Sequence, residues 1–359
     1  MPLSKIQFGN TGRRNLIING AMQVWQRGTS VDSIATGGYQ CDRWRIAHAG
    51  LDGNVDIDQD TSVPTGQGFP YSMKVSMDAS ESSLDAGDQV NVTHRFEAQN
   101  LQHLGFGTSS AKSLVVSFWV KSSVAGTYSL EWQTQDSPLR MIGRTYTINS
   151  ANTWEYKTLT IPGDPSATIN NDNGGGLDLR WWIDAGTDWY GGTFATNWEN
   201  RIKANRVNNT TGWLESTSPT WHITGVQMET GTAATDFEHR SFGEELALCQ
   251  RYFIRVPEID ASSAYAFLAT GMATDVNAVD IPIPFPVTMR ANPTLVTSGS
   301  IRVYNGGTVN PASAITLYSG TTSVGCLRVN TGSVLSTKDA ILIGLNNDID
   351  ANFQFSAEY

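Results

Sequence analysis

Three features of the 359-residue sequence predict an all-β protein. Apolar residues recur with a period of two, turn-forming residues separate the runs, and only one stretch has a helical period. The composition agrees. Charged residues make up 16%, low for a protein of long exposed helices, while Gly alone numbers 34 and Ser, Thr and Asn are abundant. With 11 Trp, 11 Tyr and 13 Phe, the chain holds too many large apolar side chains to stay disordered. Its length suits two domains.

Along the chain, Leu114, Val116, Phe118 and Val120 alternate with Val115, Ser117, Trp119 and Lys121. Tyr128, Leu130 and Trp132 alternate with Ser129, Glu131 and Gln133, and Ala125-Gly126 lies between the runs, so a hairpin is predicted. Leu177, Leu179, Trp181 and Ile183 alternate with Asp178, Arg180, Trp182 and Asp184. Many such runs between Gly/Asn/Asp/Pro clusters indicate β-sandwiches. No Trp follows Trp221, which places a domain boundary soon after it. Residues 241–253 form the best helical stretch. Ser241 can cap it, Glu244 stands three residues on, and Phe242, Leu246, Cys249 and Phe253 share one face. Beyond it, the prolines of Ile281-Pro282-Ile283-Pro284-Phe285-Pro286 predict an edge strand or linker. Short strands follow near 294–297, 300–304, 314–317, 325–329, 340–345 and 351–358. The predicted organisation is an N-terminal segment over 1–30, a β-sandwich over 31–240, a linking helix over 241–256 and a C-terminal β-sandwich over 257–359.

Several function classes fall away. The net charge is −10 and no block of Lys and Arg occurs, so nucleic acid is not an expected partner. No apolar run approaches the roughly 20 residues of a membrane span. Cys41, Cys249 and Cys326 are isolated, without zinc-site spacing. His48, His94, His103, His222 and His239 form no HExxH, and no Gly-x-Ser-x-Gly elbow is present, so no catalytic residue is assigned. A polysaccharide-degrading carboxylate pair is the alternative that spacing alone leaves open. The opening residues carry no apolar export signal, which suggests synthesis in the cytoplasm.

The candidate ligand-binding residues come from the period of two. If Leu177, Leu179, Trp181 and Ile183 face the core, Trp182 faces outward with Asp178, Arg180 and Asp184. A ring face of this kind stacks on the C–H face of a sugar, and the charged groups hydrogen-bond its hydroxyls. Trp119 is the second outward ring, and Glu131 and Gln133 would share its face across the predicted hairpin. Trp189 and Tyr190, with Trp198, would line an edge. The alternative for these aromatics is an interface with another protein. Asp56, Asp58 and Asp60 are the candidate metal ligands, and calcium would suit such oxygens. The EF-hand Gly and Glu positions hold Thr61 and Gln67, however, so no resident metal or cofactor is expected.

Several segments carry a resemblance. They are Asn15-Leu16-Ile17-Ile18-Asn19-Gly20-Ala21-Met22-Gln23-Val24-Trp25-Gln26-Arg27-Gly28, Asp42-Arg43-Trp44, Ile223-Thr224-Gly225-Val226-Gln227-Met228-Glu229, Ala234-Thr235-Asp236-Phe237-Glu238-His239-Arg240 and Glu244–Tyr252. In order and spacing, over about 15–255, they resemble bacteriophage tail-fibre and fibre-like proteins with a carbohydrate-binding-module-like domain. Pro286–Thr294 extends the resemblance to the β domains that follow. It implies a jelly-roll sandwich in the N-terminal half and a homotrimeric virion component, on tail or capsid. It also implies attachment to other virion proteins through the N-terminal segment and adsorption to host cell-surface glycans. The matched motifs themselves read as structural, with Asp42-Arg43-Trp44 expected to form a buried ion pair beside a packed ring. The competing expectation is a structural fibre or decoration protein whose aromatic faces bind other virion proteins.

Overall fold

The computed structural model describes residues 13–257, 263–332 and 335–359. The chain divides into two compact units, one of residues up to Trp25 with Thr29–Ser241, the other of Gln26–Gly28 with Phe242–Tyr359. The all-β class holds in both.

The first unit is a sandwich of two six-stranded antiparallel sheets. Its strands are β1 (Ser30–Val31), β2 (Trp44–Ala49), β3 (Val55–Asp60), β4 (Ser72–Met77), β5 (Gln89–Glu97), β6 (Leu114–Ser122), β7 (Gly126–Thr134), β8 (Arg140–Ile148), β9 (Glu155–Ile161), β10 (Gly175–Ala185), β11 (Glu199–Asn200) and β12 (Thr220–Thr230). One sheet has the order β1-β3-β4-β12-β6-β9, the other β11-β8-β7-β10-β5-β2. The chain crosses repeatedly from sheet to sheet, as in a jelly roll. The residues that alternate inward meet between the sheets. Phe118 of one sheet packs edge-on to Trp181 of the other, at 5.7 Å between ring centroids, and Trp181 meets Trp44 at 5.5 Å.

The predicted hairpin over 114–132 does not form. Both strands exist, but β6 pairs with β12 and β9, and β7 pairs with β10 and β8 in the opposite sheet. Periodicity dictates which side chains face the core, and Ala125-Gly126 permits a turn. Neither distinguishes a hairpin from a connection that changes sheets.

Within the expected N-terminal segment over 1–30, Ile17, Met22 and Trp25 belong to this core; residues 1–12 lie outside the described residues. The Asn15–Gly28 motif is a buried knot. The Asn19 side chain donates to the carbonyls of Val24 and Asp42 and accepts from the amides of Gln23 and Val24. Asp42, Arg43 and Trp44 are all buried. The Arg43 guanidinium donates to the Arg95 carbonyl, and the Trp44 indole donates to the Asn19 carbonyl.

The second unit begins with a helix, α2 (Phe242–Gln250), and holds β13 (Phe253–Val256), β14 (Phe267–Asp275), β15 (Ala278–Pro284), β16 (Thr294–Ser298), β17 (Ile301–Asn305), β18 (Thr308–Gly320), β19 (Val324–Thr331), β20 (Ala340–Leu345) and β21 (Asn352–Ser356). Where a C-terminal β-sandwich is expected, the strands form a barrel closed in the order β14-β15-β19-β18-β17-β20, beside a three-stranded sheet β13-β21-β16. Val279, Ile281, Val303, Leu327, Val329, Ile341 and Ile343 fill the core.

One expectation changes here and another is resolved. On α2, Glu245 and Cys249 are buried, four residues apart, whereas Phe242 is 56% exposed and Phe253 belongs to β13. Of the proline-rich run, Ile281–Pro284 form the second half of β15, edge-like rather than a linker, and Phe285 and Pro286 lie beyond it. Ala278–Asp280 pair on both sides, whereas Ile281–Pro284 pair only with β19, so the missing proline donors fall where β14 offers no partner.

Candidate functional site

The outer faces of the first unit's two sheets differ, and the difference decides which residues a ligand can reach. On the β10 face, Trp182, Arg180 and Asp178 point away from the core, as alternation requires. They do not reach solvent. The segment between β10 and β12, which begins with a short helix, α1 (Thr187–Tyr190), folds back over them. Trp182 is 1% exposed and packs with Ala185, Val207, Trp189 and Tyr190. Its indole donates to Glu131 at 3.0 Å, and the Arg206 guanidinium lies 4.9 Å from its ring.

Glu131 is the centre of a buried ionic lattice. It accepts from Arg180 at 2.9 Å and from Arg206 at 2.8 and 2.9 Å. Asp178 accepts from Arg180 at 3.2 Å and from Arg95 at 2.6 and 2.7 Å. Burial pushes the Glu131 carboxyl up from its ordinary range, against the opposing pull of Arg206 and the Trp182 indole. Gln133 is buried opposite Asp178. Asp184 is occupied too, accepting from the amides of Ala185, Thr211 and Leu214 and from the Thr210 hydroxyl. The expected sugar platform is therefore a correction. Glu131, Trp182 and Asp184 fasten a covering segment to the sheet, Asp178 and Arg180 tie neighbouring strands beneath it, Gln133 is buried beside them, and none presents an open ring. Trp189 and Tyr190 are half-buried parts of that cover, and the Trp189 indole donates to the Gly87 carbonyl. Trp198, expected at the same edge, donates to the Pro162 carbonyl instead.

The carboxylates of β3 have protein partners as well. Asp56 accepts from the Ser33 amide, Asp58 from Ser30 and Lys74, and Asp60 from the Ser62 amide and His222. Among the described residues, no group of three His, Cys, Asp or Glu is arranged to hold a metal.

The outer face of the other sheet is open in part, around Trp119 and Tyr156. Strand order sets Thr224 of β12, Trp119 of β6 and Tyr156 of β9 side by side, and the Trp119 and Tyr156 rings lie 5.3 Å apart. Trp119 is half-buried and Tyr156 is 46% exposed. Beyond them opens a cavity of about 460 Å³, whose lining includes Trp119, Tyr156, Phe69, Asp236, Phe237 and His239. Phe69, Phe237 and His239 form a cluster with centroids 4.9–5.3 Å apart.

Two local devices build this wall. Strand β12 bulges between Thr224 and Gln227. There Gly225 takes φ +61°, and the Phe69 ring sits where a Cβ would be, 2.6 Å away. After the bulge, the Gln227 side chain donates to the carbonyls of Thr235 and Asp236 and accepts from the Glu238 amide, while Glu229 accepts from Thr235. Arg240 donates to the carbonyls of Ile17 and Asn15. The motif residues over 223–229 and 234–240 thus carry Asp236, Phe237 and His239 to the groove. The sequence assigns them no ligand role, although all three lie within the 234–240 motif.

Further along the same face, Lys121 donates to Ser62 Oγ at 2.7 Å and lies 5.3 Å from the Trp154 ring. His222, 5% exposed, faces Asp60 at 3.3 Å. Burial, reinforced by Lys121, pushes His222 down to about 4 against the attraction of Asp60, so it is neutral near pH 7. For Asp60, burial acts upward, but the Ser62 amide and His222 outweigh it and hold the carboxyl below its usual range.

No protein-family model matches the chain. No curated protein matches it either. Among solved structures, it is similar to the enzymatically active domain of tailspike protein 4 of bacteriophage CBA120, at 14% identity over 56% of this chain and 21% of that chain, with a TM-score of 0.30. It is also similar to a family 4 carbohydrate-binding module, at 14% identity over 59% of this chain and 98% of that one, with a TM-score of 0.32. A third is the family 11 carbohydrate-binding module of cellulosomal cellulase Lic26A-Cel5E of Clostridium thermocellum, at 12% identity over 57% of this chain and 97% of that one, with a TM-score of 0.28. This chain therefore spans about a fifth of the tailspike chain.

Proposed function

We propose that this chain is a bacteriophage virion fibre protein that binds host-surface glycans at the Trp119–Tyr156 groove and catalyses no reaction. The observation that carries the reading is the groove itself. It is a cavity of a size suited to small ligands, with two partly exposed rings on one wall and Asp236 and His239 among its polar groups. Rings take the apolar face of a sugar, and the carboxylate and imidazole take its hydroxyls. The resemblance of residues 15–255 to fibre proteins supports the virion setting. In this reading the protein is a homotrimer mounted through its N-terminal segment, and linked copies raise weak single-site affinity by about 10²–10⁴. Recombinant protein applied to a glycan array and to candidate bacteria tests it. Binding to a defined glycan set that blocks adsorption is expected, and a reducing-end assay on the same glycans should stay flat. A folded protein that binds neither glycan nor cell would refute it.

A second reading, a structural fibre or decoration protein, has its own observation in the second unit. Across β14-β20-β17-β18, outward positions align as Phe267, Gly344, Arg302 and Pro311, and next to them Thr270, Leu342, Tyr304 and Val309. Phe267 is 50% and Val309 44% exposed, and an apolar stripe of this kind suits a protein partner. Capture of a virion protein, with no glycan binding, would favour this second role.

A further inference from the structure

We propose that the groove selects an acidic sugar chain, with Lys121 binding a carboxylate of the residue that follows the one stacked on Trp119. The inference rests on the glycan reading and names its ligand class.

Lys121 lies two residues beyond Trp119 on the same face of β6, about 7 Å along the strand. It differs from Lys74, the neighbouring lysine of this face. Lys74, cross-strand from His222 on that face, is paired with Asp58 at 3.1 Å. Among the described residues, no carboxylate lies within 4 Å of the Lys121 ammonium, whose partners are the Ser62 hydroxyl and the Trp154 ring.

None of the described groups around it makes an ion-pair contact with it. Asp60 attracts the ammonium at longer range, while its oxygens accept from the Ser62 amide and from His222. His222 is neutral, and Lys74, cross-strand from His222, is matched by Asp58. Burial lowers the Lys121 pKa, the mark of a cation short of solvation. The Trp154 ring and the Ser62 hydroxyl hold the ammonium in place, and a lysine has three donors. A half-buried ammonium with donors to spare, one register step from a stacking ring, fits a carboxylate-bearing sugar better than a neutral one. Asp236 lies in the cavity lining beyond Trp119, where it suits hydroxyls and repels carboxylates. The pair would orient the chain. The net charge of −10 opposes a polyanion at long range, but at physiological salt that repulsion is screened within about 8 Å.

The test uses the full chain with polygalacturonate, alginate and hyaluronan, each native and carboxyl-reduced, alongside a neutral glycan panel. Hydrogen bonds to charged groups imply about a ten- to hundredfold affinity advantage for the native acidic forms. Lys121→Gln should erase that advantage and Lys121→Arg should keep it, both with unchanged melting temperature. Equal binding of native and reduced chains, or an unaltered Lys121→Gln variant, would overturn the acidic inference. If Trp119→Ala still abolished binding in that case, the glycan reading would stand. Binding only to neutral glycans would likewise overturn the inference alone. Binding to nothing in the panel would overturn both.

Discussion

Removing Glu131 tests whether the β10 face is a structural lattice rather than a ligand platform. The carboxylate is 1% exposed and accepts four hydrogen bonds, one from Arg180, two from Arg206 and one from Trp182. In Glu131→Ala, Arg180 keeps Asp178, but both Arg206 side-chain bonds to the carboxylate disappear. Breaking a buried pair from one side costs about 3–5 kcal/mol, because the remaining charge stays buried without compensation. For a domain of this size each kcal/mol shifts the midpoint by roughly 2–4 °C, so the first unit should melt about 6–20 °C lower. Scanning calorimetry of the full chain, with tryptophan fluorescence reporting the Trp-rich unit, reads the shift. A loss below about 1 kcal/mol in urea titration would show that the lattice is not holding the cover down, and the buried assignment of Trp182 would fail with it.

Other outcomes follow from the same geometry. Trp182→Ala should lower stability by about 3–5 kcal/mol, as for a buried ring, and Trp182→Phe by less, which denaturant midpoints would measure. Gly225→Ala should cost at least about 1–3 kcal/mol, since an L-residue is strained at φ +61° and its methyl meets the Phe69 ring; crystallography of any folded variant should show Phe69 displaced. For pH, the folded pKa of His222 lies below its unfolded value near 6.5, so the unfolded state binds the extra proton. Its contribution is full above pH 6.5 and is lost as pH falls towards 4, by about 3 kcal/mol at 1.4 kcal/mol per unit. His222→Gln should flatten that part of the stability–pH curve; an unchanged slope would remove the assignment.

Much of the fold was legible because a half-buried strand writes its orientation into a period of two. The inward sets of β6, β7 and β10 were all read correctly, as was the outward ring of Trp119. Pairing was not legible, since β6 and β7 meet different partners through contacts far apart in sequence. The same limit explains the site. Outward from the sheet is not outward to solvent, and nothing near Trp182 in sequence announces that Arg206 and Val207 will cover it. Conversely, Tyr156, Phe69 and Phe237 come together only through the order β4-β12-β6-β9 and the bulge at Gly225. Asn19 and Gln227 look inert as letters in a motif, yet their side-chain amides hold the knot and the groove wall.

The most direct test of the central claim is the affinity of wild type and Trp119→Ala for the same glycan, measured beside their melting temperatures. The ring is half-buried and tilted at 47° against Tyr156, so its loss should weaken binding about tenfold or more while the protein remains folded. A folded Trp119→Ala variant that binds glycan as tightly as wild type would contradict the assignment of the groove.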